Sequence, residues 1–306
     1  MPQQNQPHYE VKPKISIIVA SHNAHGNVVR CLEAIERSAS RRKAEVIVVD
    51  GANDGTDEII HRQYPNVTLV RSGKDRLIPH LWETGINCSQ GEVVALTTGH
   101  FVPAKNWIDE ILTAHEGPYA GVGGAIENDP QGGLVSWAIY FCRYSPYILP
   151  FIAHDVNDFA ADNGSYKREA LDACRPGRRN GFWETFIHGD LRRTGARLLL
   201  SPDIVVYHGQ SFTILEFICQ RFRHGRQFGS ERAQSISVSR RVALLLMSPL
   251  IPVILLWRIT RRVMIRKRLL GKYVSAFPLL ILFLLSWSLG ELTGYAWRES
   301  RSLSLQ

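Results

Sequence analysis

The 306-residue sequence has only five cysteines, Cys31, Cys88, Cys142, Cys174 and Cys219, scattered and odd in number. No C-x-x-C pair occurs among them, so neither a disulfide framework nor a zinc knot is indicated, and a reducing compartment is the simpler reading. The loop from Ser21 to Asn27 lacks a G-x-G-x-x-G run, which sets aside a dinucleotide-dependent oxidoreductase. Met1 to Glu10 lack the apolar core of a secretory signal, so the N-terminal domain is expected to remain cytosolic. Acidic residues are scarce at the other end: beyond residue 210 there are 4 Asp/Glu against 15 Lys/Arg, a net of +11, whereas the first 210 residues hold 24 against 21. This basic excess is interleaved with apolar runs and not with polar linkers. Its expected counterpart is an anionic membrane surface, and no nucleic acid partner is expected.

What the sequence does contain is a 45% apolar fraction, enough for a substantial core in one large domain or two smaller ones. From Lys14 onward, short β-branched runs alternate with stretches of helical period. Ile15 to Ala20 and Glu45 to Asp50 read as strands, with Val28, Val29, Leu32 and Ile35 on one face of a helix between them. Val67 to Arg71 and Glu92 to Thr97 read as two more strands, separated by helices near Asp57 to Gln63 and Leu77 to Cys88. This βαβ alternation predicts an α/β fold with a mostly parallel sheet covered on both faces, in which ligands bind at the carboxyl ends of the strands. The loops Ser21 to Gly26, Asp50 to Thr56 and Thr98 to Pro103 lie there. From Gly121 to His208 the pattern is less regular: Gly-rich turns, an aromatic region from Trp137 to Phe151 and a late strand pair ending in Val205 to His208 are expected to complete the same domain. No internal repeat or low-complexity segment is apparent.

Beyond Arg240 the character changes. Val242 to Trp257 gives 16 uncharged residues and Tyr273 to Gly290 gives 18, against the roughly 20 of a typical bilayer crossing. Pro249 and Pro252 are expected to break the first helix, and the seven positive charges from Arg258 to Lys272 prefer the cytosolic side. The first run is therefore expected to be re-entrant or interfacial and the second to cross. Three regions result: a polar extension over 1–13, an α/β domain over 14–228 and a basic, apolar membrane region over 229–306. The alternative is a pair of buried helices in a soluble subdomain.

Two segments carry the chemistry. Ile15-Ser16-Ile17-Ile18-Val19-Ala20-Ser21-His22-Asn23, followed by Glu45-Val46-Ile47-Val48-Val49-Asp50-Gly51-Ala52-Asn53-Asp54-Gly55-Thr56, resembles the opening of family 2 glycosyltransferases, enzymes of the GT-A nucleotide-sugar-binding fold. The likeness includes an apolar strand ending in a polar turn with Asn, a helix bearing "CL.AI" and a second strand ending "VVD". An Asp at a strand's carboxyl end can accept a hydrogen bond from a uracil-type ring N–H, and small polar neighbours leave room for the base. The resemblance implies donor contacts from Ser21, His22, Asn23, Asp50, Asp54, Arg76, Thr98 and His100. The commoner role of Asp in such loops is to shape a turn or cap the next helix.

The family's D-x-D pair, which holds a divalent ion on the donor diphosphate, falls on Thr98-Gly99-His100 when Val102-Pro103 and Trp107 are matched to "VP…W". Both carboxylates are missing, which weakens the case for Mn or Mg because hard cations prefer oxygen ligands. His100 and His208 are the candidate metal ligands that remain.

The run Gly181-Phe182-Trp183-Glu184-Thr185-Phe186-Ile187-His188-Gly189-Asp190-Leu191-Arg192-Arg193-Thr194-Gly195 resembles the family's "ED..L..RL...G" helix and implies Glu184 as the general base. An ionised carboxylate suffices, since the acceptor hydroxyl becomes acidic only as the sugar bond forms. Trp183 replaces the usual acid and could stack on a sugar. Asn163, in a segment resembling "G.N…RR", is placed on the acceptor side. Gln220-Arg221-Phe222-Arg223-His224-Gly225-Arg226 looks like a degenerate Q-x-x-R-W signature without its aromatic end, so Arg221, Arg223, His224 and Arg226 become candidates for holding the diphosphate, or else a basic interfacial helix.

The resulting expectation is an inverting transfer from a UDP-linked sugar to a lipid-linked or glycan acceptor, by a membrane protein with its catalytic domain on the cytoplasmic side. The competing expectation is a non-catalytic nucleotide-sugar-binding protein of the same fold.

Overall fold

A computed structural model describes residues 12–22, 24–52, 54–73, 76–174, 181–209, 212–234 and 236–297. The strands are β1 (Ile15–Ser21), β2 (Ala44–Asp50), β3 (Thr68–Arg71), β4 (Val93–Thr98), β5 (Phe101–Pro103), β6 (Tyr119–Asn128), β7 (His154–Asp155), β8 (Gly164–Lys167) and β9 (Arg197–His208). The helices are α1 (His25–Glu36), α2 (Thr56–Gln63), α3 (Ile78–Cys88), α4 (Trp107–His115), α5 (Leu134–Tyr144), α6 (Arg168–Cys174), α7 (Glu184–Arg193), α8 (Ile214–Gln234), α9 (Val238–Met247), α10 (Ile251–Arg266) and α11 (Leu270–Ala296). They group into two compact units, Met1–Asp129 with Tyr147–Gln210, and Pro130–Pro146 with Ser211–Gln306.

The first unit is a mixed α/β layer structure around one sheet of order β3-β2-β1-β4-β8-β6-β9-β5, with β7 added beside β9. β3, β2, β1 and β4 are mutually parallel, and β1 and β2 are buried along their whole length because their Ile/Val runs have helices on both faces. Alternate residues divide between those faces. Ile18, Ala20, Ile47 and Val49 pack with Leu81, Trp82 and Ile86 of α3. Ser21 is registered beside Asp50, and Val19 beside Thr97, so these polar residues share the opposite face.

The Gly-rich stretch that opens at Gly121 begins with a strand, as the family resemblance of Gly121 to Ile126 implies. Gly121, Gly123 and Gly124 lie inside β6, which runs parallel to β9 and antiparallel to β8. Glycine is used there for close approach: a Cβ on Gly123 would sit 2.5 Å from the Phe159 ring, and one on Gly124 2.1 Å from the Ile204 carbonyl oxygen. The expected late strand pair is one 12-residue strand, β9, whose register with β6 slips between Gly124 and Ala125. Asn163 fills that irregularity. Its amide donates to the Ala125 and Ile204 carbonyls at 2.9 and 3.0 Å, and its Oδ1 accepts from Trp107 Nε1 at 2.8 Å.

In the second unit, the aromatic helix α5 groups with the C-terminal residues instead of completing the first domain, because Phe141 packs edge-on against Tyr273 of α11 at 5.3 Å. α8 runs continuously through residue 228, where the sequence placed a boundary. α8 and α11 cross at a pair of small-x-x-x-small stripes: Cβ atoms on Gly225, Gly229, Gly290 and Gly294 would each lie 2.2 to 2.5 Å from the facing backbone. Val238–Arg266 and Leu270–Ala296 are each long and apolar enough to cross a membrane, with 11% and 44% of their apolar windows buried. Pro249 lies in the single turn Ser248–Leu250 between α9 and α10, and Pro252 in the first turn of α10.

Two stability predictions follow from the first unit. Asn163→Ala strands two buried carbonyls and the Trp107 N–H, and should lower unfolding free energy by about 3 kcal/mol in denaturant titration; an unchanged midpoint would contradict the role given to Asn163. Burial, and secondarily Lys167, lowers the pKa of His115 to about 4. A depressed folded-state pKa means that this contribution is present above the unfolded value near 6.5 and is lost as pH falls toward 4. The full shift corresponds to about 3 kcal/mol, so thermal stability should fall over that window and fall less in His115→Gln.

Candidate active site

The carboxyl ends of β1, β2 and β4 carry polar side chains that the fold buries without pairing. Ser21, Asp50 and Thr97 are 0–1% exposed, and Ser21 Oγ, His22 Nδ1, Asp50 Oδ2 and Thr97 Oγ1 have no hydrogen-bond partner among the described residues. Native proteins leave few such atoms, and a cluster of them at a sheet's ligand-binding edge is what a bound polar group would satisfy. Asp50 Oδ1 accepts a long 3.4 Å bond from the Ala52 N–H, which leaves Oδ2 for a ligand. Burial raises the Asp50 pKa, and Asp54 adds to the rise. The Ala52 N–H, Arg71 and the neighbouring Ser21 hydroxyl oppose it. Asp54 itself accepts from the Thr56 N–H at 3.1 Å, at the start of α2, the capping role common for Asp in such loops. Asn23 lies outside the described residues.

Thr98 Oγ1 accepts from the His100 N–H at 3.4 Å, and the Gly99 N–H donates to the Ala20 carbonyl at 3.0 Å, so the segment in the D-x-D position is folded back onto β1. His100 is 7% exposed. Its Nε2–H donates to the His22 carbonyl at 3.2 Å, and its Nδ1 lies 3.5 Å from the Asn27 amide, so both ring nitrogens are engaged by protein. His208 is fully buried, with Nδ1 3.1 Å from Asn128 Oδ1 and its ring centroid 5.4 Å from that of Phe101. No group of three or more His, Cys, Asp or Glu able to hold a metal occurs among the described residues. Ligation of a cation by His100 would require giving up one of these hydrogen bonds.

A second group gathers at the first turn of α3. The Phe182 N–H donates to the Pro79 carbonyl at 2.8 Å, and the Gly181 N–H donates to Glu83 at 3.0 Å. Gly181 has φ +100, and a Cβ there would meet His80 at 3.1 Å. These contacts deliver Glu184, the first residue of α7, to that end of α3. Glu184 is half-buried. Arg76 is exposed just before α3, and its charge, after burial, holds the His80 imidazole neutral by lowering its pKa. The structure thus brings Arg76 and Glu184 to one turn of α3. Trp183 is only 7% exposed, and its carbonyl accepts from the N–H groups of Phe186 and Ile187, so it caps α7 from a packed position.

Asn163 is 1% exposed and bonded as described above. Arg221, Arg223, His224 and Arg226 belong to α8 in the second unit, where Arg221 stacks over the Trp287 ring at 4.1 Å. Sequence reasoning missed His80 and also the pair Asp158 and His188. Of these only His188 carried a signal, since it lies one helical turn after Glu184.

A buried, under-satisfied polar edge at the carboxyl ends of parallel strands is the ligand-binding position of an α/β fold. Among solved structures the chain is similar to the mannosyltransferase PcManGT from Pyrobaculum calidifontis, in complex with GDP-Man and Mn2+. The identity is 16% and the TM-score 0.58, over 95% of this chain and 90% of that one, a likeness of GT-A fold. No curated protein matches the chain. The model of the family described as glycosyl transferase family 2 matches residues 16–175, more than half of the sequence, and the chain belongs to that family.

Asp50→Asn should weaken UDP binding by at least ten-fold in calorimetry, the loss of one good hydrogen bond to a charged group. Because burial raises its folded-state pKa, ionised Asp50 costs the apo fold stability at neutral pH. The melting temperature of the variant should be no lower than that of the wild type. A large drop in stability with unchanged UDP affinity would make Asp50 a structural residue.

Proposed function

We propose that this glycosyltransferase catalyses an inverting transfer of a sugar from a UDP-linked donor to a hydroxyl or phosphate of a lipid-linked or glycan acceptor at a membrane. The observation that carries this reading is the set of unpartnered buried atoms on Ser21, His22, Asp50 and Thr97. Asp50 Oδ2 accepts the ring N–H of the base, and the Ser21 and Thr97 hydroxyls contact the nucleoside. Arg76 meets the diphosphate from the α3 end. The basic run Arg221, Arg223, His224 and Arg226, on α8 of the second unit, is a candidate for lipid head-group phosphates.

Glu184 takes the acceptor proton as the new glycosidic bond forms on the face of the anomeric carbon opposite the departing nucleotide. No pKa adjustment is required, because the hydroxyl acidifies in the transition state. The diphosphate is handled here without a carboxylate-held cation, consistent with the engaged nitrogens of His100. Val238–Arg266 and Leu270–Ala296, with their flanking Arg and Lys, favour a membrane setting with the catalytic domain on the cytoplasmic side.

The absent D-x-D carboxylates favour one rival, a nucleotide-sugar-binding protein without catalysis, and a single experiment decides between the two. Native membranes carrying the full chain are given radiolabelled UDP-glucose, UDP-galactose, UDP-N-acetylglucosamine or GDP-mannose, with and without EDTA. Transfer is expected from a UDP sugar, to survive EDTA, and to fall on the order of a thousand-fold in Glu184→Gln while UDP binding persists. No transfer from any donor supports the binding protein. Transfer abolished by EDTA and restored by Mn would return a metal to the site.

A further inference from the structure

Behind Glu184 the first unit holds a chain of hydrogen bonds that the transfer reaction as described does not use. The Tyr166 hydroxyl on β8 donates to His188 Nε2 at 2.8 Å, and His188 Nδ1–H donates to Asp158 Oδ1 at 2.5 Å. Thr185 Oγ1–H donates to the other Asp158 oxygen at 3.2 Å. His188 is fully buried, with its ring 4.2 Å from that of Phe159, whereas the Asp158 side chain is 45% exposed. A buried polar chain with both imidazole nitrogens satisfied fixes its members' geometry more tightly than apolar packing does. The tautomer is set by the partners: an acceptor carboxylate at Nδ1 and a donor hydroxyl at Nε2.

The position of the chain is what gives it consequence. Thr185 directly follows Glu184, and His188 is four residues on, so Asp158 bridges both ends of the one helical turn that displays Glu184. On the other side, the same turn is tied to α3 through Gly181 and Phe182. Burial, then the charges of Glu184 and Asp158, push the Tyr166 phenol well above its usual range, which places both carboxylates within electrostatic reach of that hydroxyl.

We propose that Asp158, His188 and Thr185 are positioning residues that hold the first turn of α7 against β8 and so aim the Glu184 carboxylate at the acceptor. This rests on the reading of Glu184 as the base. None of the three touches substrate. Their effect passes through Glu184, and displacement of a base by about 1 Å can cost about a hundred-fold in rate.

The test is a double-mutant cycle on the full chain in native membranes, using whichever of the four donors above wild type turns over fastest and reading released nucleotide. His188→Gln and Asp158→Asn should each lower kcat by on the order of ten- to a hundred-fold, with the donor KM within about two-fold. Thr185→Ser, which keeps the hydroxyl, should be near wild type, and Thr185→Val should lose kcat. In a Glu184→Gln background, His188→Gln should cause no further loss, because the group it aims is gone. Should His188→Gln fail to fold, the exposed Asp158→Asn takes its place in the cycle. Full kcat in Asp158→Asn and Thr185→Val beside an inactive Glu184→Gln would overturn the positioning role and leave the base intact. Multiplicative losses in the double variant would do the same. Wild-type rates in Glu184→Gln would remove the base assignment and the positioning role together.

Discussion

A carboxylate buried at the end of an apolar strand is the constraint on which the rest of this site depends. Asp50 closes the run Ala44–Asp50, every residue of which is buried, and its second oxygen lacks a partner among the described residues. A fold tolerates a half-satisfied buried charge only where something offsets its desolvation. The partial offsets here are the Ala52 N–H, Arg71 and the nearby Ser21 hydroxyl. They keep the group in place and leave it short of satisfaction, the condition under which a ligand N–H gains most by arriving.

The parallel ladder explains why that edge is polar at all. Registering Ser21 beside Asp50 and Val19 beside Thr97 sends Ser21, Asp50 and Thr97 to one face at one end, while Ile18, Ala20, Ile47 and Val49 on the other face bind α3 into the core. Because α3 is fixed there, its first turn can serve as the anchor for Gly181 and Phe182. The polar edge and the α3 anchor of the α7 turn are thus set by opposite faces of the same strands.

The β1 to β4 half was legible in the sequence because fully buried parallel strands and amphipathic helices leave unambiguous periods, and the family resemblance ran through those elements. The second half was harder to read. Gly121, Gly123 and Gly124 suit a close-packed strand and a plain turn equally well in the sequence, and the nearness of Phe159 and the Ile204 carbonyl shows why a strand needs them. Asn163 looked like an acceptor contact, yet it ties a register slip between β6 and β9. His100 looked like a vestigial metal ligand, and its two ring nitrogens turn out to be engaged by His22 and Asn27. Asp158 carried no signal, since it meets His188 only through tertiary packing over 30 residues of chain. Single residues in loops and short helices take their meaning from partners that spacing does not specify.

The most direct measurement of the central claim is a crystal structure of the full chain soaked with UDP. The uracil N3–H should lie within hydrogen-bond distance of Asp50 Oδ2, with the diphosphate directed toward the α3 end that carries Arg76 and Glu184. UDP bound elsewhere, or an Asp50 carboxylate turned into a protein hydrogen bond while UDP occupies the edge, would contradict it.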